Sequence, residues 1–296
     1  MKHVLSEARG GTLPVALIVV LTLALLSLAG GCGKKSTGRE SAYSGTVKAS
    51  GSTTVLPIAL EAATEFMDAN PAVNVQVQGG GSSAGITQLK EGVVQIANSS
   101  RDLQPGENEG NLVDFKIAFD IIGMVVNPSV PVSDLSSGQV EDIFTGSITN
   151  WKEVSGSDAE IVVVVRDLAS GTREMFDQKA LGSTKERPVY SVASAIECSS
   201  NGIVRETVAT TPNSIGYISY GYINLKVKPV KYNGVPPDIP NAESGRYPMA
   251  RYLHMFTKGR PAGAVKGYTD FVLSDKFQED VVSVEYIPIR NVHKTQ

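Results

Sequence analysis

The chain has 296 residues, 42% of them hydrophobic and 19% charged, with a formal net charge of −3 and two cysteines. A chain of this length and composition buries a real core and divides into more than one folding unit, which excludes a disulfide-stapled miniprotein and a disordered polymer. There is no basic surplus and no dense Lys/Arg cluster, so nucleic acid is not an expected partner.

The first element in chain order is an uncharged apolar run, Pro14 to Ala29, preceded by Lys2 and Arg9 and followed by Gly30, Gly31 and Cys32. It is shorter than the roughly 20 residues that span a bilayer, and with these flanks it reads as a signal peptide over residues 1–31, with an uncleaved membrane anchor as the alternative. Leu28-Ala29-Gly30-Gly31-Cys32 resembles a lipobox, which implies that Cys32 carries a lipid anchor. Residues 32–45, rich in Gly and Ser, then form a flexible tether. Cys198 is the remaining thiol.

From residue 46 the pattern becomes α/β. Val47 to Gly51 reads as the end of a strand. The segment Val55 to Met67 places Val55, Ile58, Ala59, Ala62, Ala63 and Phe66 at helical spacing, with Pro57 in the first turn. Val73 to Gln78 alternates as a strand. Ser82 to Val94 reads as a helix with Ile86, Leu89 and Val93 on one stripe. Ile161 to Val165 is a continuous β-branched run, the mark of a strand buried on both faces of a parallel sheet, and a helix is expected to follow through Leu181. Strand, hydroxyl-rich turn and helix thus recur three times, as in α/β folds with mainly parallel sheets.

Ligands of open α/β sheets sit beyond the carboxyl ends of the strands, so the three turns are the candidate site. Gly51-Ser52-Thr53-Thr54, Gly81-Ser82-Ser83 and Ser170-Gly171-Thr172 each set small hydroxyl residues at a helix start, where unsatisfied N–H groups and the helix dipole attract anions. Any one of these hydroxyls serves equally well as an ordinary N-cap. Arg166, at the end of the most apolar strand, adds a guanidinium able to grip a tetrahedral oxyanion, or one that pairs with Asp167.

These stretches resemble the family of phosphate-binding lipoproteins that serve high-affinity phosphate ABC transporters. The similarity runs from about Val47 almost to the C-terminus. Gly51 to Thr54, Gly80 to Gly85 (GGSSAG), Ser99-Ser100-Arg101, Ile143 to Gly146 with Asn150-Trp151, Arg166 to Thr172, and Ile215-Gly216-Tyr217 occur in the family's order. The resemblance implies a two-lobed periplasmic-binding-protein fold of type II, with the ligand between lobes joined by two crossing strands. Lobe one then holds residues 46–122 and 226–296 and lobe two residues 123–225, with crossings near Ile121 to Val126 and Tyr222 to Lys226. It also implies phosphate contacts at Thr53, Thr54, Ser82, Ser100, Arg101, Arg166, Ser170, Gly171 and Thr172, with Ser52, Ser83 and Asp102 beside them. Ser100 stands where many relatives carry an aspartate that accepts the proton of hydrogen phosphate, so Asp102 is the substitute acceptor to examine and Arg101 adds positive charge.

The function implied is capture of inorganic phosphate outside the cytoplasm by a lipid-anchored monomer, hinge closure, and delivery to membrane permease subunits, without catalysis or a cofactor. Binding of sulfate, arsenate or molybdate is the alternative. A serine hydrolase is a more distant one, since Gly81-Ser82-Ser83-Ala84-Gly85 fits the nucleophile-elbow pattern at Ser83. A triad needs a histidine, and His3, His254 and His293 are the only candidates. No Cys/His cluster points to a metal.

Overall fold

The computed structural model describes residues 42–109 and 111–292. The expectations for the signal peptide, for Cys32 and for most of the tether lie outside the described residues. No helix among those residues is long and apolar enough to cross a membrane.

Ten strands form one extended sheet system: β1 (Gly45–Gly51), β2 (Val73–Gly79), β3 (Ile96–Ser99), β4 (Leu112–Val126), β5 (Asp134–Leu135), β6 (Val162–Arg166), β7 (Ile196–Cys198), β8 (Ser214–Ser219), β9 (Lys228–Tyr232) and β10 (Ala250–Lys258). The strand order is β2-β1-β3-β10-β4-β8-β6-β7, and β9 pairs with both β4 and β5. The long strand β4 is common to two halves: Leu112 to Ile121 pairs with β10, whereas Ile122 to Val126 pairs with β8 and, at Met124 to Val126, with β9. The strands that carry the three turns run parallel to their neighbours, β1 with β2 and β3, and β6 with β7 and β8.

The apolar spacing in the sequence becomes the burial pattern of the helices. In α1 (Leu56–Ala69) the side chains of Ile58, Ala59, Ala62, Ala63 and Phe66 are buried, and Pro57 occupies the first turn, where its missing N–H has no partner to lose. They join Val47, Ile96, Leu253, Met255 and Tyr268 in the core of the first half. The second helix, α2 (Ser82–Lys90), is shorter than its apolar stripe suggests. Gly92 adopts φ +76°, a left-handed conformation that ends the helix, so Val93 falls outside it and is half exposed. In the second half, α3 (Ser137–Thr145) and α4 (Gly171–Ala180) bury Phe144 and Phe176 against Tyr217, whose ring stacks on Phe176 at 3.9 Å. The next helix, α5 (Asn201–Thr210), places Val204 and Val208 against Val164 and Ile218 on the other face of the sheet.

A boundary between the halves near residue 226 differs from this packing. Val230, Tyr232, Ala242, Tyr247 and Met249 are buried in the second core with Trp151, Phe144 and Phe176. The chain returns to the first half at about Met249–Ala250, where β10 begins to pair with Ile121. The reason is strand order: β9 turns back to hydrogen-bond β4 and β5, which keeps residues 227–249 beside them.

Candidate functional site

The site is built where strands end. Strand β1 ends at Gly51, with φ +134°, and a β-carbon there would lie 2.2 Å from the carbonyl oxygen of Asn98, so only glycine lets β1 approach β3 this closely. Ser52 Oγ accepts the N–H groups of Thr54 and Val55 at 3.1 and 3.4 Å and so closes the turn that leads into α1. Thr53 and Thr54 then face the second half. Thr54 Oγ1 lies 3.1 Å from Thr172 Oγ1 and accepts Asn201 Nδ2 at 2.9 Å, while Thr53 Oγ1 accepts the same amide at 3.3 Å.

The second turn meets the third directly. A β-carbon on Gly81 would stand 2.5 Å from the Ala169 carbonyl oxygen, and Ser83 N–H donates to that oxygen at 3.2 Å. Ser82 Oγ accepts the N–H of Ser100 at 3.1 Å and lies 3.4 Å from Ser100 Oγ. Both hydroxyls press on Gly171, whose missing β-carbon would fall 2.4 Å from Ser82 Oγ. The two halves are therefore closed on each other, with backbone and hydroxyl groups of all three turns in mutual contact.

In the third turn Arg166 extends from the end of β6 and is 1% exposed. Its Nε and Nη2 donate to the carbonyls of Cys198 and Ser199 at 3.1 and 3.0 Å, and Asp167 lies 3.9 Å from Nη2. These acceptors aim the guanidinium and leave Nη1 without a hydrogen bond to a described residue. Burial lowers the Arg166 pKa, Asp167 opposes the shift, and the nearby charge of Arg251 adds to it. Ser170 caps α4 by accepting Arg173 N–H at 3.2 Å, which leaves its hydroxyl proton available to a ligand.

Arg101 is engaged elsewhere. Its Nη1 and Nη2 form a bidentate pair with Glu107 at 2.6 and 2.8 Å, Nη1 also reaches the Asp102 carbonyl, Nη2 also reaches Ser83 Oγ, and Nε lies 2.6 Å from Glu174 Oε2. Burial opposes its charge, yet the Glu107 bond and the two carboxylates carry its pKa upward. With Nη1 and Nη2 hydrogen-bonded to Glu107, Asp102 and Ser83 and Nε in ion-pair contact with Glu174, Arg101 ties the segment after β3 to α4. Asp102 is also displaced. Its carboxylate is 81% exposed and 3.5 Å from His254 Nε2, outside the closed cleft. His254, whose Nδ1 meets Asp114 at 2.8 Å, stacks on Phe256. It is the only histidine among the described residues, and its ring nitrogens face carboxylates rather than Ser83, whose hydroxyl is held by Arg101.

Further groups complete the site. Asn201 opens α5 directly after Cys198-Ser199-Ser200, a fourth strand, hydroxyl turn and helix that the same template could have found. Arg251 and Asp120 are paired across β10 and β4 and form a buried ion pair at 2.9 Å. Burial pushes Asp120 up and Arg251 down, and each partner's charge opposes the other's shift. Tyrosine hydroxyls brace the first turn from behind: Tyr222 donates to the Thr53 carbonyl at 2.7 Å and Tyr286 to that of Thr54 at 3.0 Å.

Two α/β halves sharing a long strand and closed over hydroxyls, helix starts and a buried arginine define a solute-binding protein of the periplasmic type. Comparison with known proteins agrees. A family model described as a PBP superfamily domain matches residues 36–276. The phosphate-binding protein PstS of Bacillus subtilis is 37% identical over 94% of this chain and 95% of its own length. Among solved structures, a phosphate ABC transporter substrate-binding protein of Clostridium perfringens with bound phosphate is 35% identical. It superposes with a TM-score of 0.78, covering 83% of this chain and all of the other. An ABC-type phosphate transport receptor of Vibrio cholerae is 34% identical at a TM-score of 0.69, covering 81% and 99%. The chain belongs to the PstS family of phosphate-binding proteins.

Proposed function

We propose that this chain is the extracytoplasmic solute-binding component of a phosphate importer, capturing inorganic phosphate between its halves and handing it, P–O bonds intact, to membrane permease subunits. One observation carries the reading: hydroxyls and backbone N–H groups from both halves converge with Arg166 in a buried cleft, so the donor set is complete only when the halves meet. Thr53, Thr54, Ser82, Ser100, Arg166, Ser170, Gly171 and Thr172 are the proposed contacts. Ser100 takes the aspartate's place, while Arg101 acts on closure and Asp102 has no part in the cleft. The proposed lobes are residues 46–121 with 250–292, and residues 122–249. Outside the described residues we place the lipid anchor at Cys32, which keeps a monomeric binding protein beside its permease.

Calorimetric titration with phosphate, sulfate and arsenate tests the reading. Phosphate binds more tightly than sulfate, and Arg166→Ala weakens phosphate at least about tenfold, because a desolvated charged partner is lost while the anion stays buried. Equal affinity in that variant sinks the assignment of Arg166, and heat evolved with sulfate but not phosphate sinks the substrate.

A further inference from the structure

Arg251 Nη2 has two protons and three acceptors. One proton goes to Asp120 Oδ2 at 2.9 Å, and the other is shared between Thr172 Oγ1 at 3.0 Å and Thr54 Oγ1 at 3.2 Å. The guanidinium is clamped at a second point, since Nε also reaches Asp120 Oδ2, at 3.1 Å. Asp120 is fixed in turn by the hydroxyl of Ser219, which donates to Oδ1 at 2.6 Å. Asn201 is equally constrained: its Oδ1 accepts the Ser219 N–H at 3.2 Å, which directs its amide protons to the threonines.

A hydroxyl oxygen has two lone pairs and one proton. On Thr54 Oγ1 the lone pairs are taken by Asn201 and Arg251, so its proton has to be donated. Thr172 Oγ1 takes one bond from Arg251 and, at 3.1 Å, one from Thr54. Its own proton must then leave as a donor too. We propose that Arg251, held by Asp120, is a positioning residue that fixes the direction of this hydrogen-bond chain, so that Thr54 gives its proton to Thr172 and Thr172 faces the solute as an obligatory donor. The chain runs from Asn201 and Arg251 through Thr54 and Thr172 to the anion, each donor polarised by the one before it. An obligatory donor accepts no proton from the ligand, and the oxygen that meets Thr172 is therefore selected unprotonated. It favours hydrogen phosphate over dihydrogen phosphate, complementing a site where Ser100 replaces a carboxylate acceptor.

The assignment rests on the phosphate-binding reading. The groups acting on the Arg251 charge are Asp120 from β4, Arg166 from β6 and Tyr286 from the C-terminal segment. The ionisation that the affinity follows is the ligand's own.

The test is phosphate titration of the full-length protein at pH 6 and pH 8 for the wild type, Arg251→Lys and Asp120→Asn, with thermal midpoints recorded alongside. Lysine keeps a charge beside Asp120 but lacks the second nitrogen, Nε, whose bond to Asp120 holds Nη2 on the threonines. The expected result is wild-type affinity that rises with pH, and Arg251→Lys affinity at least about tenfold lower at pH 8. The ratio of affinities between the two pH values falls toward one, because the freed lone pairs accept a ligand proton. Asp120→Asn gives the same collapse of the ratio and supplies the answer if the lysine variant does not fold. Unchanged affinity in the folded variants, or weakening by one common factor at both pH values, overturns the proposal and reduces Arg251 to a structural charge. A wild type that binds no phosphate overturns both this assignment and the reading beneath it, whereas wild-type binding with an unaltered Arg251→Lys overturns this assignment alone.

Discussion

Thr54 and Thr172 lie 118 positions apart in the chain, yet their Oγ1 atoms stand 3.1 Å from each other, fully buried, one from each half of the molecule. The contact exists only because β1 and β6 end at the same level of the cleft, each followed by a hydroxyl turn. Replacing Thr172 with valine keeps the shape and removes both the donor and the acceptor. Arg251 then loses one partner in a dry setting, and a ligand loses a hydroxyl donor. Phosphate affinity should fall about tenfold or more, consistent with roughly 1–3 kcal/mol for a buried group left unpaired. Calorimetry measures the affinity, and far-ultraviolet circular dichroism shows that the fold persists.

The glycine of the third turn sets how tightly the halves meet. A β-carbon at Gly171 would lie 2.4 Å from Ser82 Oγ and 2.9 Å from Ser100 Oγ, both across the cleft. Its φ is not in the left-handed region and it opens α4, so alanine suits the local backbone. Gly171→Ala should leave the thermal midpoint unchanged or slightly raised while phosphate affinity drops at least about tenfold. A variant that binds normally would show that the turns separate when ligand enters, and that closure does not depend on this contact.

How much of this was legible beforehand follows from the range of each interaction. The three turns could be read because a helix start is announced by residues within one turn of it, as with Ser52, Ser82 and Ser170. Helix α1 could be read for the same reason. The early end of α2 came from a single left-handed glycine, Gly92, which outweighs the apolar stripe that continues to Val93. The engagement of Arg101 has no local signal, because its partners Glu107 and Glu174 are supplied by a loop and by a helix of the other half. Arg251 and Asp120 carried no signal at all: they meet through antiparallel pairing of β10 with β4, a register that no local pattern encodes. The packing of residues 227–249 with the second half is hidden on the same account, since nothing in β9 declares that it returns to β4.

The Arg101–Glu174 pair joins the halves in the closed form. Its two atoms lie 2.6 Å apart, and Glu107 keeps Arg101 satisfied on its own side whether or not Glu174 is present. Glu174→Gln should therefore spare folding and weaken closure alone. A bond made only in the closed state shifts the population toward it by the free energy of that bond. A loss of roughly 1 kcal/mol corresponds to about fivefold weaker phosphate binding. Most of it should appear as faster dissociation in stopped-flow measurements, because encounter occurs with the halves open. A change confined to the association rate would contradict a latch acting after capture.

Asp177, on α4 one turn beyond Arg173, links this helix to pH. Burial pushes its carboxyl from the ordinary 3.8 up to about 6, with Arg173 pulling the other way, and its Oδ1 has no hydrogen-bond partner among the described residues. The folded state thus holds this proton more tightly than the unfolded state does. Stability from this group is complete below about pH 4 and is lost as pH rises through about 6, with the penalty fully present at neutral pH. Asparagine mimics the protonated carboxyl and removes the penalty. Arg173 keeps its bonds to the Arg166 carbonyl and to Glu197. Asp177→Asn should accordingly be the more stable protein at pH 7.5, by up to about 3 kcal/mol before solvent screening, and equal to the wild type near pH 4. Denaturant midpoints across that interval test the sign. An advantage that widens toward acid would mean that Asp177 is stabilised by Arg173 as an ion pair and that burial is the lesser effect.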